Sequence, residues 1–325
     1  MAYSTEYPNR AGLLLRRRGR RSPAPLSCVF GAVSPRLCGV ALPPCQSLRV
    51  GDGFSLPAVS LSPVSPFPSL LQNEAAMSSI GTGYDQSTTT YSPDGRVFQV
   101  EYAAKAVEGS STAVGIRCKD GVVMCVEKPK LSKMIVEGSN RRIMSLDKHS
   151  GLCFSGMVAD ARQLVNHARS EAARYADFYG GTIPGKVLCD RISGLMHTYT
   201  LYWTVRPFGC SVLIASYTED GPQLHSVDPS GVSYRYFAHA IGKGKNGAKS
   251  QLEKLDLSTL TCREAVVEAA KVIYTQHDPA KDKPIEIELS WVCDESNKCH
   301  QLVPPELHAQ AEAAAKAYRE AMDED

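Results

Sequence analysis

The sequence predicts an α+β fold of four layers, with two stacked antiparallel sheets covered by helices on both outer faces. Two observations predict it. Blocks of β-type runs alternate with pairs of helical patterns, an order satisfied when sheets pack on one another and helices cover the outside. Inside the strand blocks, Asp120-Gly121, Asp220-Gly221-Pro222 and Pro229-Ser230-Gly231 are the residues of short reverse connections.

Regular patterning begins after Met77. Ser92 with Pro93-Asp94-Gly95 makes a turn, and Phe98, Tyr102, Ala103 and Ala106 then recur at helical spacing up to Gly109. Strands are expected at Thr112–Arg117 and Val122–Glu127, joined through Asp120-Gly121, and at Arg142–Leu146 and Leu152–Ser155, joined across Lys148–Gly151. Two long helices are expected over Ala159–Tyr179 and Pro184–Trp203, with Gly180-Gly181 between them and Pro184 opening the second. Strands return at Ser211–Tyr217, Gln223–Asp228 and Val232–Phe237. Helices follow at Gly247–Leu255 and Thr261–His277, then a strand at Ile285–Val292 and a last helix from Pro304.

Residues 1–76 have another character. They hold eight Arg, no Lys or His, three acids (Glu6, Asp52, Glu74), and a Pro/Ser tract from Leu56 to Ser69. The segment fits either an Arg- and Ser-rich transit-like peptide or upstream sequence translated from an earlier start. The second is favoured because Met77 opens the regular part, and under either reading no core is expected there. The domain is therefore placed at 77–325, with tail and turn at 77–95, a helix at 96–109, the sandwich at 110–303, and a C-terminal helix with acidic tail at 304–325.

The net charge of +2 hides an asymmetry, since the first 76 residues contribute +5 and leave the remainder near −3. A mildly acidic domain offers no concentrated basic face for phosphate, so no nucleic-acid partner is expected. No apolar run approaches the roughly 20 residues of a membrane span, so no membrane partner is expected either. Eleven cysteines occur without a Cys-x-x-Cys pair, which reads as reduced thiols of the cytosol or nucleus.

The stretch YSPDGRVFQVEYAAKA at 91–106 joins a fixed turn to a fixed helix and resembles the signature of proteasome α-type subunits. GSNRRI at 138–143, SGMVADAR at 155–162, YTLYWTVRPFG at 199–209, DPSGVSYRY at 228–236, AIGKGKNGAK at 240–249 and ELSWVC at 288–293 continue the likeness over 78–323. The opening SSIGTGYD and the ELSWVC block most resemble alpha type-3. The resemblance implies the N-terminal-nucleophile hydrolase sandwich. It also implies a structural subunit of a seven-membered outer ring of the 20S particle, serving ubiquitin- and ATP-dependent protein degradation in cytoplasm and nucleus. Its expected partners are other α subunits, β subunits and a regulatory particle or activators bearing C-terminal tails.

The same comparison puts Ser111, Glu127 and Arg142 where an active β subunit carries its Thr, Asp and Lys. Ser111 follows an amide, which cannot act as a base, and a guanidinium cannot exchange protons near neutrality. These positions are thus expected to be degenerate, with no catalytic residue; the alternative, an active N-terminal nucleophile peptidase, needs cleavage before 111. The resemblance implies a gate role for Tyr84, Asp85, Pro93 and Tyr102, with Gln86 standing where most paralogues carry Arg. It also implies a pocket for activator tails at Arg142, Glu101, Gly156 and Met157. The bland reading of Arg142 is a solvent-exposed ion pair at a strand start.

No cofactor and no metal are expected. GKGKNGAKS at 242–250 lacks the contiguous Gly-Lys of a phosphate loop, because Ala248 intervenes. Cys293, Cys299 and His300 lack a fourth ligand at close spacing. His167 and His197 read as ordinary helix residues.

Overall fold

The computed structural model describes residues 83–324 except 131, 137 and 279–282. The extension 1–76 and the start of the tail lie outside the described residues.

The order is α1 (Phe98–Glu108), β1 (Ala113–Arg117), β2 (Gly121–Pro129), β3 (Ile143–Asp147), β4 (Ser150–Gly156), α2 (Val158–Tyr179), α3 (Gly185–Thr198), β5 (Cys210–Thr218), β6 (Gly221–Val227), β7 (Ser233–Tyr236), β8 (Ala238–Ile241), α4 (Lys245–Leu252), α5 (Cys262–Gln276), β9 (Ile285–Cys293), β10 (Gln301–Leu302) and α6 (Pro305–Glu324). One five-stranded sheet runs β10-β9-β2-β1-β8 and the other β3-β4-β5-β6-β7. All their pairings are antiparallel. Packing is that of a four-layer αββα sandwich, as expected.

The periodicity of β2 shows how the layers form. Val122, Met124 and Val126 point into the layer between the sheets and meet Cys153, Leu213, Ala215 and Leu224. Val123 and Cys125 point the other way, onto Val266, Ala269 and Ala270 of α5. With both faces covered, the strand reads as one apolar run instead of an alternation, and all of Gly121–Val126 is buried. The second sheet does the same: Leu152 and Phe154 of β4 and Val212 and Ile214 of β5 pack with Leu164, Ala168, Leu188 and Ile192 of α2 and α3. Full burial of each such Leu or Val side chain stabilises the fold by about 1.5–3 kcal/mol.

Three differences from expectation stand out. Helix α3 ends at Thr198, five residues early, because hydroxyls there bond the local backbone: Thr198 Oγ1 donates to the Gly194 carbonyl (2.8 Å) and Thr200 Oγ1 to the His197 carbonyl (2.6 Å). Strand β8 is an addition. The chain turns a corner at Phe237 and passes from one sheet to the other, and no Gly or Pro marks the change in YRYFAHAI. The two-residue β10 is also additional, too short to leave a period. Among the described residues, no helix is long and apolar enough to cross a membrane.

Seven of the eight described cysteines are buried and all are free thiols. Burial pushes the thiols of Cys189 and Cys210 up to about 11 and about 12, so they pack as small apolar groups.

Gly242, which directly follows β8, has φ +97°, and a Cβ there would stand 2.3 Å from the Ser111 carbonyl oxygen. Gly242→Ala should therefore lower the thermal midpoint of the purified chain substantially, by a loss of about 2–3 kcal/mol. Gly181→Ala, at an open position with no positive φ, should shift it by less than about 0.5 kcal/mol. Equal midpoints for the two variants in a differential scan would contradict the assignment.

Candidate functional site

The segment after α1 is held at one end of the sandwich, where β1 begins beside β4 and β8. Ser110 accepts at its carbonyl from the Lys243 N–H (2.9 Å), and its hydroxyl accepts from the Gly156 N–H (3.0 Å). The Ser111 carbonyl accepts from Ser155 Oγ (2.6 Å). Gly156, at φ +120°, and Gly242 let the surrounding backbone come this close; a Cβ on Gly156 would stand 2.2 Å from the Gly209 carbonyl oxygen. Ser111 Oγ itself is buried without a hydrogen-bond partner among the described residues. The nitrogen of Ser111 is an interior amide following Ser110, with no proton-accepting lone pair for its own hydroxyl.

The other two positions matched to a catalytic set surround it. Glu127 Oε2 accepts from the Thr112 N–H (2.9 Å), so the carboxylate is spent on the start of β1. Arg142 is only 7% exposed, its guanidinium 5.6 Å from the centre of the Phe154 ring. That corrects the bland reading of a solvent-exposed pair. Its backbone N–H donates to Glu288 Oε2 (2.8 Å), while its Nε and Nη1 have no hydrogen-bond partner among the described residues. Burial pulls the Arg142 guanidinium below its ordinary value, opposed by the carboxylates of Glu288 and Glu127. Burial likewise raises the Glu288 carboxyl, opposed first by the Arg142 N–H. Glu288 is the residue that sequence reasoning misses. Its signal is the second acid of the strand IEIELSWV, which lies in the apolar half of the run, where an unpaired carboxylate would be costly.

The four residues expected to form a pocket occupy different settings. Gly156 lies at the Ser110 contact, and Met157 follows it with 50% exposure, its N–H donating to the Gly209 carbonyl (2.9 Å). Glu101 lies on α1 and forms a two-pronged pair with Arg96, Nε to Oε1 at 2.6 Å; the Arg96 hydrogen bonds hold its carboxyl below the usual range. Arg142 is the buried member.

The tail is fastened to α1. Tyr102 donates to Asp85 Oδ2 (3.4 Å), Gln99 Nε2 donates to the Asp85 carbonyl, and Thr88 Oγ1 donates to the Tyr202 carbonyl (2.9 Å). Desolvation and the Asp85 carboxylate raise the Tyr102 phenol. Tyr84 and Tyr102 stay 41% and 42% exposed, and Gln86 is exposed beside them. Pro93 is exposed in the turn, where Ser92 closes both ends: Arg96 N–H donates to Ser92 Oγ (3.0 Å) and Gly95 N–H to the Ser92 carbonyl (2.9 Å). The structure therefore joins Asp85 to Tyr102 directly, and Pro93 supplies the turn that aims α1.

The remaining sequence suggestions resolve simply. His300 Nδ1 is 2.7 Å from Ser145 Oγ, and Cys293 is buried in β9 while Cys299 is exposed. The stretch 242–250 is a three-residue link followed by the start of α4.

Residues 107–292 match the proteasome subunit family, and residues 84–106 match the N-terminal signature of its A-type subunits. Proteasome subunit alpha type-3 of Oryza sativa subsp. japonica is 61% identical over 249 residues, covering 77% of this chain and 100% of that protein. Proteasome subunit alpha type-3 of Dictyostelium discoideum is 54% identical over 74% of this chain and 97% of that protein. Probable proteasome subunit alpha type-7 of Schizosaccharomyces pombe is 45% identical over 77% and 98%. Signature helix, sandwich and identity across the whole length of these relatives agree, and the chain belongs to the proteasome subunit family as an α-type member similar to alpha type-3.

Proposed function

We propose that this chain is a non-catalytic structural subunit of the outer α ring of the 20S particle, shaping its entrance and receiving activator tails, in cytoplasm and nucleus. The observation that carries the reading is the locked Ser110–Ser111 backbone. Its carbonyls are bonded to Lys243 and Ser155, and the amide between them leaves no free amine. A nucleophile of this class requires that amine as its base, so peptidase activity belongs to the β rings.

A particle containing the chain, treated with an inhibitor directed at N-terminal threonine, should carry adducts on β subunits and none on Ser111. A Ser111 adduct in the peptide map would restore the enzymatic reading.

Tyr84, Asp85, Pro93 and Tyr102 are proposed to hold the tail at the ring opening. The Asp85–Tyr102 hydrogen bond supports this, since it fixes where the tail leaves the folded domain. Removing Ser78–Thr90 should raise hydrolysis of small fluorogenic peptides by the assembled particle about two- to fivefold without changing inhibitor labelling of β subunits; seven tails share the opening, and each shuts part of it. An unchanged rate with confirmed incorporation would exclude this tail from the gate.

Arg142, with Glu101, Gly156 and Met157, is proposed to receive the C-terminal carboxylate of an activator. The guanidinium donors Nε and Nη1, without a partner among the described residues, support it, because an anionic acceptor would satisfy donors that are otherwise buried unpaired. Arg142→Met should weaken binding of an activator C-terminal peptide to the particle by about tenfold or more by fluorescence polarisation, whereas Arg142→Lys should retain most of it. Equal affinity in the Met variant would remove Arg142 from the pocket.

A further inference from the structure

Two thiols and a carboxylate converge at a place unrelated to the tail, the pocket or the degenerate catalytic positions. Cys118 and Asp120 lie in the tight connection between β1 and β2, and Cys262 is the first residue of α5. One ligand atom from each lies within 4.8 Å of the other two, the only such group of metal-binding side chains among the described residues. We propose that Cys118, Asp120 and Cys262 form a site for a thiophilic divalent cation of the zinc class.

Each residue is already positioned for it. Cys262 N–H donates to Asp120 Oδ1 (2.9 Å), which orients the carboxylate and leaves its second oxygen to bind, the kind of support that outer-shell hydrogen bonds give metal ligands. The Lys119 N–H donates to the Leu260 carbonyl (3.2 Å), so the turn is docked to the approach of α5 before any ion arrives. Apart from its neighbour Cys262, Cys118 Sγ has a long contact to the Ile116 carbonyl, 3.9 Å, and loses little on ligation. Zinc bonds of about 2.3 Å to sulfur and about 2.0 Å to oxygen at tetrahedral angles put ligand atoms about 3.5–3.8 Å apart. A contraction of about 1 Å within the 4.8 Å group therefore completes three ligands.

Buried thiols are ordinarily apolar filler, and the other buried cysteines among the described residues serve as such. This pair differs in having an acid beside it, and two thiolates plus a carboxylate balance a divalent ion to a net charge of −1. Binding releases the two thiol protons to solvent, and a water takes the fourth position on the side of Asp120, which is half-buried while both cysteines are buried.

The test uses the full chain, reduced and stripped with chelator, titrated with Cd²⁺ as a spectroscopic probe and with Zn²⁺ in competition. Thiolate-to-cadmium absorbance should saturate at about one equivalent and be reversed by Zn²⁺. It should vanish in Cys118→Ser/Cys262→Ser and persist in Cys299→Ser, which removes the one thiol exposed among the described residues without touching the core. Asp120→Asn should weaken binding about tenfold or more. Absorbance lost in Cys299→Ser, or no saturable absorbance in the unaltered chain, would overturn the site; so would a Cys118–Cys262 disulfide in a peptide map of the assembled particle taken without reductant.

Discussion

Everything in this molecule depends on the apolar layer between the two sheets. Val122, Met124 and Val126 on one side and Leu213, Ala215 and Leu224 on the other make up its apolar part, and the close fit is visible at Gly115. A Cβ there would stand 2.9 Å from Leu224 Cδ1, so β1 approaches the opposite sheet more closely than a larger residue would permit. Because that layer fixes the spacing of the sheets, it also fixes the distance between β1, β4 and β8 at the end of the sandwich. The Ser110–Ser111 backbone lies in the resulting gap, bonded to both sheets. The position matched to an N-terminal nucleophile is thus occupied by continuous chain, held there by the same spacing.

The helix preceding that segment is tied by similar economy. Ala103 and Val107 face the sandwich, while Phe98 and Tyr102 are turned outward with ring centroids 6.2 Å apart. Tyr102 bears the Asp85 contact. Together with Gln99, which donates to the Asp85 carbonyl, it relates the helix to the tail.

Most of the layering was legible in the sequence because its turns are marked. Asp120-Gly121 and Pro229-Ser230-Gly231 announce reversals, and Gly180, at φ +73°, closes α2 as a left-handed cap. What stayed hidden lacked such marks. The passage from β7 to β8 at Phe237 occurs inside an apolar run, and sheet membership is decided by long-range pairing that no local period records. At the site, residue identities and the missing amine could be read directly. The burial of Arg142 could not, since it depends on Glu288 arriving from 146 positions away. The Cys118, Asp120 and Cys262 group likewise has no sequence spacing that resembles a metal motif, because two ligands come from one turn and the third from a helix start.

The corner at Phe237 has a mechanical consequence. The Arg117 N–H donates to the Phe237 carbonyl (2.7 Å) and the Arg117 guanidinium stands 5.2 Å from the Phe237 ring centre, so the strand that leaves one sheet is seized at once by the other. There is no slack between them. Pulling β7 away necessarily peels β8 from β1, and opening either sheet exposes the layer that both share. Load applied at one face of the subunit is therefore borne by both sheets together, and the sandwich opens as one cooperative unit or stays shut.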